Sequence, residues 1–93
     1  MIRSFRSKAA EEIWKGNAAR ELSMEIQRTA RRKLRMLNNA RTLQDLRVPP
    51  ANRLEALKGD RRGQHSIRIN DRYRLCFVWR TGDAHDVELV DCH

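Results

Sequence analysis

Long apolar runs, paired cysteines and low-complexity tracts are all missing from this chain of 93 residues, and each absence removes a class of protein. No stretch approaches the roughly 20 apolar residues that span a bilayer, so no membrane association is expected. The two cysteines, Cys76 and Cys92, have no CxxC partner. A disulfide framework and a zinc site are therefore not expected, and reduced thiols in a cytoplasmic protein are. Met1-Ile2-Arg3-Ser4-Phe5 runs straight into charged sequence, without the apolar segment of a secretory signal. No acidic cluster is built to hold Mg²⁺, and neither metal nor cofactor is expected. Repeats and linkers are absent, and the length suits one domain, residues 1–93, with one modest core.

Basic charge is what the chain does have. Lys and Arg number 20 against 12 Asp and Glu, for a net charge of +8. Lysine occurs only at Lys8, Lys15, Lys33 and Lys58, so arginine dominates. Such a field draws polyanions at long range. The planar fork of arginine matches phosphate with two parallel hydrogen bonds and stacks on bases, which favours nucleic acid over anions in general.

Periodicity gives the layout. Ile2–Phe5 alternates and predicts a short N-terminal edge strand. Ser7 caps a first helix from Lys8 to about Lys15, ended by Gly16 and Asn17. Leu22, Ile26, Ala30, Leu34 and Leu37 recur at helical spacing, and neither Gly nor Pro interrupts 18–40, so one long helix is expected there. Its other faces carry Arg28, Arg31, Arg32, Lys33 and Arg35, which form a solvated surface or a strip for a nucleic-acid backbone or an acidic partner. Thr42-Leu43-Gln44-Asp45 has capping-box spacing and predicts a short helical turn. Pro49-Pro50 then breaks the chain.

From Leu54 the period changes to two. A short strand, 54–57, leads into the turn Lys58-Gly59-Asp60-Arg61-Arg62-Gly63. Strands at 64–70, 73–79 and about 85–90 follow, separated by turns at Asn70-Asp71 and Thr81-Gly82-Asp83. The expected class is α+β, with two N-terminal helices on one face of a mostly antiparallel twisted sheet. If Ile67, Ile69, Leu75, Phe77 and Trp79 face the helices, then Arg68, Arg74 and Cys76 face away. His65 falls on the apolar side as a core histidine, His85 follows a turn and is exposed, and Trp14, Phe77 and Trp79 lie in the core. An arginine-bearing platform, with the acid, thiol and imidazole of Asp91-Cys92-His93 near it, suits chemistry on a phosphate polymer.

The run from Asn52 to Asn70, with Leu54, Leu57, Gly59-Asp60-Arg61, Gly63 and Ser66-Ile67-Arg68, together with Asn70-Asp71-Arg72-Tyr73-Arg74-Leu75-Cys76-Phe77, resembles the HigB and GraT toxins of the RelE superfamily, also known as plasmid maintenance killer proteins. The opening five residues and the closing Asp-x-His share the resemblance, which covers nearly the whole chain. It implies a type II toxin that enters the ribosomal A site and cuts mRNA, neutralised by a HigA-type helix-turn-helix antitoxin. Operator DNA would be bound only through that antitoxin.

The chemistry so implied is attack by the RNA 2′-hydroxyl on the adjacent phosphorus, which needs a base, an acid for the leaving 5′-oxygen and cations for the phosphorane. His93 is the first candidate acid or base, because imidazole titrates near neutral pH, and Asp91 the carboxylate that orients it. Glu55 stands where one branch of the family has a histidine. It serves either as a base or as an ion-pair partner of Arg68 or Arg74. Arg74, Arg68 and Lys58 are the phosphate clamp, and Arg61 and Arg62 contact RNA backbone. Cys92 stands where close relatives carry tyrosine, and no chemical role is assigned to it. Two readings stay open: the nuclease, and a catalytically weak ribosome- or antitoxin-binding module acting in translation arrest or operon autoregulation. A generic DNA-binding domain is disfavoured, since no recognition helix accompanies the long helix.

Overall fold

The computed structural model describes residues 1–91. Helix α1 (Lys8–Trp14) starts at Ser7, whose hydroxyl accepts from the Ala10 amide at 3.2 Å. The same oxygen accepts from the Leu89 amide at 3.1 Å, so one cap also ties the helix to the sheet. Helix α2 (Met24–Asn39) is capped by Ser23 and begins six residues later than the periodicity suggests. The reason lies in the side chain of buried Gln27. It accepts from the Ala19 amide at 2.9 Å and donates to the Leu22 carbonyl at 2.8 Å, locking 19–22 into a turn. Leu22 is thus buried by a turn rather than by a helix face.

A 3-10 turn (Leu43–Arg47) carries the expected capping box between Thr42 and Asp45. The four strands β1 (Glu55–Ala56), β2 (His65–Arg68), β3 (Tyr73–Arg80) and β4 (Asp83–Asp91) form an antiparallel sheet in chain order. The N-terminal stretch does lie along β4, yet only as two isolated parallel bridges, Ile2 with Ala84 and Phe5 with Val87. A bulge in β4 interrupts its pairing with β3: Asp86 has φ 52°, and its amide donates 2.8 Å to the Ser4 hydroxyl.

Phe77, Ile13, Leu34, Leu37, Ile67, Leu75 and Val87 are fully buried between the helices and one face of the sheet. Trp14 and Trp79 pack against this core while partly exposed. His65 is half-buried on the core face and stacks on Phe77, with centroids 6.3 Å apart. His85 is half-buried rather than exposed, because it sits within β4 opposite Val78.

Lys33 also departs from the sequence expectation. It is buried, not on the solvated face of α2, and donates to the Asn52 side chain. Asn52 is itself fully buried and donates to the Leu46 carbonyl at 3.1 Å. Desolvation, with Arg32 and Arg68 nearby, pushes the Lys33 ammonium below its ordinary pKa of 10.5. Among the described residues, no helix is long and apolar enough to cross a membrane.

Candidate functional site: the helix-free face of the sheet

Register decides which side chains meet on the face that no helix covers. Residues directly opposite one another in an antiparallel pair share a face, and neighbours alternate. Glu55 pairs with Ser66, Ser66 with Cys76, Arg68 with Arg74, Cys76 with Glu88 and Arg74 with Val90. All of these residues therefore project away from the helices.

Arg74 is the best-held cation of the group. Its Nε donates to the Ser66 hydroxyl at 2.8 Å, and its Nη2 donates to the Arg53 carbonyl at 2.7 Å. Arg53 aims that carbonyl from a left-handed conformation, φ 45°. Ser66 is fully buried, and the Arg74 side chain is 16% exposed. Glu55 Oε1 lies 3.9 Å from Arg74 Nη2, so the acid is brought to the arginine while staying exposed itself. Arg68 stands across from Arg74 and pairs with Asp71 in the following turn. Two guanidinium groups are thus set side by side, each anchored by a partner.

Arg61 reaches over the same face from the 3-10 turn Gly59–Arg61. Its Nη1 lies 3.0 Å from Glu88 Oε1 and 3.1 Å from Gln64 Oε1. The bond to Glu88 raises the Arg61 pKa above its ordinary value. Arg61 is therefore committed within the protein. Lys58 and Arg62 are not: both are exposed, and neither has an ion-pair partner among the described residues. With Leu57 and Gly59 they line an open recess of about 450 Å³ beside the arginine face.

Asp91 is placed differently. It pairs with Tyr73 and shares the parity of Leu89, so it leaves the sheet on the helix side rather than beside Arg68 and Arg74. There its Oδ2 receives Arg72 Nε at 3.0 Å and Nη2 at 2.9 Å, which raises the Arg72 pKa. Arg72 also lies 5.3 Å over the Tyr73 ring. The expectations for Cys92 and His93 fall outside the described residues. Ser66 and the Arg53 carbonyl are the functional partners that sequence reasoning did not name. The signal for Ser66 was available, since alternation puts it on the arginine face. Nothing in the sequence marks the Arg53 carbonyl. Among the described residues no group of His, Cys, Asp and Glu is arranged to hold a metal ion.

Two helices on one face of a four-stranded sheet is a fold shared with chains in solved toxin–antitoxin complexes. A chain in a solved YoeB–YefM complex from Staphylococcus aureus superposes with a TM-score of 0.63 at 17% identity, covering 100% of this chain and 98% of that one. A second, from the heterotetrameric YoeB–YefM toxin–antitoxin complex of the same organism, gives 0.59 at 18% identity over 99% and 94%. At these identities the likeness concerns the fold alone.

Sequence similarity narrows the class. The sequence model of the family described as RelE-like toxin of type II toxin–antitoxin system HigB matches residues 3–93, and the chain belongs to that family. It is 39% identical over 90 residues to Toxin HigB-1 of Vibrio cholerae, covering 96% of this chain and 95% of the relative. An uncharacterized protein of Haemophilus influenzae is 31% identical over 74 residues, 80% of this chain and 73% of that protein.

Proposed function

We propose that this type II toxin is a ribosome-dependent endoribonuclease that cuts mRNA in the A site. The observation that carries the reading is the Arg74 guanidinium, fixed by Ser66 and the Arg53 carbonyl on a helix-free face, with Arg68 across the ladder and Glu55 at 3.9 Å. A cation held in place before substrate arrives stabilises developing charge without reorganising, which is where electrostatic catalysis gains most.

In the proposed reaction the 2′-hydroxyl loses its proton to a base and its oxygen bonds to the adjacent phosphorus. The bond from phosphorus to the 5′-oxygen breaks, and an acid protonates that oxygen. The products are a 2′,3′-cyclic phosphate and a 5′-hydroxyl. Arg74 and Arg68 bind the non-bridging oxygens as charge builds on them, and Lys58 and Arg62 hold the flanking backbone from the neighbouring recess. In this reading Glu55, 3.9 Å from Arg74, takes the 2′-hydroxyl proton. The roles of His93 as acid and Asp91 as its orienting carboxylate rest on the family resemblance. Arg61, tied to Glu88, shapes the rim and contacts RNA only if that pair opens.

An antitoxin partner is part of the same reading. The family description and the YoeB–YefM complexes support it, and a HigA-type helix-turn-helix protein is the partner proposed, with operator DNA bound through it. The test is a purified one: ribosomes programmed with a short mRNA, with and without toxin, and the products' ends identified. Cleavage that needs the ribosome, leaves a 2′,3′-cyclic phosphate and drops with Arg74→Gln supports the proposal. Translation arrest on intact mRNA would favour the non-cleaving binding module, which the replacement of histidine by Glu55 and tyrosine by Cys92 keeps in play.

A further inference from the structure

The outer face of α2 plays no part in the proposed chemistry, and its charge is unexplained by it. Glu25, Arg28, Arg32, Arg35 and Asn39 are all exposed and follow one another at steps of three and four residues. They therefore form one straight stripe, on the side of the helix opposite the buried Ala30, Leu34 and Leu37. Arg28 to Arg35 spans about 10 Å along the axis, at 1.5 Å per residue. Arg31 flanks the stripe and is held in place by its Nε, which donates to the Ile13 carbonyl at 3.2 Å. Between them lies a groove of about 440 Å³ lined by Glu25, Arg28, Thr29, Arg31, Arg32 and Arg35.

Three features say what such a surface receives. First, Arg28, Arg32 and Arg35 are exposed at consecutive turns of one helix face and have no ion-pair partner among the described residues. Like charges at these spacings repel, so the stripe opposes its own helix until an anion arrives. Second, no apolar side chain lines the groove. A protein partner would need an apolar centre to anchor on. Third, the stripe has no aromatic ring. Single-stranded RNA is gripped by stacking its bases on such rings.

A straight ridge of arginines without apolar or aromatic anchors fits the phosphate backbone of a duplex. We propose that α2 is a second RNA-binding surface, taking the backbone of double-stranded RNA through Arg28, Arg32 and Arg35, on the side of the molecule opposite the arginine-bearing sheet face. It rests on the reading of this protein as RNA-directed but not on cleavage by the sheet. The two surfaces would let the protein hold a structured RNA with its helix while a single strand lies on the sheet.

The experiment measures binding of a mixed-sequence RNA duplex across a salt series. The variants are the triple Arg28→Gln/Arg32→Gln/Arg35→Gln and a control triple of equal charge loss, Arg20→Gln/Arg41→Gln/Arg47→Gln, at exposed positions away from the stripe. Arg31 is left intact because it supports α1. Circular dichroism checks folding, and the lysine triple at 28, 32 and 35 keeps the proposal testable if the glutamine triple does not fold. The expected result is a loss of more than tenfold in affinity for the stripe triple. Its slope of log affinity against log salt should be shallower by about 2–3, one per phosphate contact, with little change for the control and binding kept by the lysine triple.

Equal losses in both triples would overturn the proposal by showing only diffuse attraction. Unchanged duplex binding with lost antitoxin capture would also overturn it, by making α2 a protein dock. Failure of the cleavage reading is scored separately, by the Arg74→Gln comparison on programmed ribosomes.

Discussion

Ser66→Ala probes the site without touching any group that would meet the RNA. The substitution removes the hydroxyl that accepts Arg74 Nε at 2.8 Å and leaves the arginine its single bond to the Arg53 carbonyl. Hydrogen bonds to charged groups contribute about 1.5–3 kcal/mol, and the lower end applies because Arg74 keeps its bond to the Arg53 carbonyl and some contact with solvent. For a domain of this size a loss of about 1–2 kcal/mol lowers Tm by roughly 5–15 °C. Function should suffer independently of stability, because a guanidinium released from one of two anchors no longer waits in the reactive position. Outright removal of a transition-state donor costs roughly 10²–10³ in rate, and loosening one should cost about tenfold.

Arg74→Lys completes the argument. An ammonium keeps the charge but cannot bridge Ser66 and the Arg53 carbonyl as the fork does, so it should behave close to Arg74→Gln. The assay is single-turnover cleavage on programmed ribosomes at a temperature well below the melting point of every variant. A Ser66→Ala protein that melts lower yet cleaves at the wild-type rate would refute the preorganised-arginine reasoning. So would full activity in Arg74→Lys.

Other outcomes follow from the fold. Gln27→Ala exposes the Ala19 amide and Leu22 carbonyl to a buried site without partners and should destabilise by about 2–4 kcal/mol, read by chemical denaturation. Ser7→Ala removes both the α1 cap and the tie to Leu89, and a loss of about 1–2 kcal/mol is expected on the same measurement. Acid should act through Asp45 and Asp83. The backbone amides of Arg41 and Thr42 hold Asp45 below its ordinary pKa of 3.8, and the N-terminal ammonium and Arg3 do the same for Asp83. A depressed carboxylate stabilises the fold above its unfolded pKa, and that contribution fades as pH falls through the folded value. Thermal melts should therefore be steady down to about pH 4 and decline below it, and Asp83→Asn should flatten the decline. Lys33→Met relieves a desolvated ammonium but leaves the buried Asn52 Oδ1 without its donor, so a loss of about 1–3 kcal/mol is expected, read as a fall in Tm. A collapse of the fold would contradict that.

Local chemistry was readable where one residue settles it. Ser7, the Thr42–Asp45 box and the strand alternation that puts Arg68 and Arg74 on one face all hold. The features that escaped depend on partners far away in the chain. Nothing near Ala18 stops a helix; Gln27, nine residues on, folds its side chain back to do so. Lys33 reads as solvated until Asn52 arrives from the other side of the prolines to receive it. The bulge at Asp86 answers to Ser4 at the opposite end of the sequence. Asp91 is a different case. Its parity with Leu89 puts it on the helix side, away from the arginine platform that the closing Asp-x-His suggests. Arg72, in the turn, receives it there.

The most direct test of the central claim, that the arginine-bearing sheet face performs chemistry on mRNA, is mapping of RNA ends in cells after brief induction of wild-type toxin and of Arg74→Gln. The account predicts new 5′-hydroxyl ends inside translated codons with wild type and their loss with the variant. The same ends at the same abundance from Arg74→Gln would contradict it, as would growth arrest by wild type with no new ends at all.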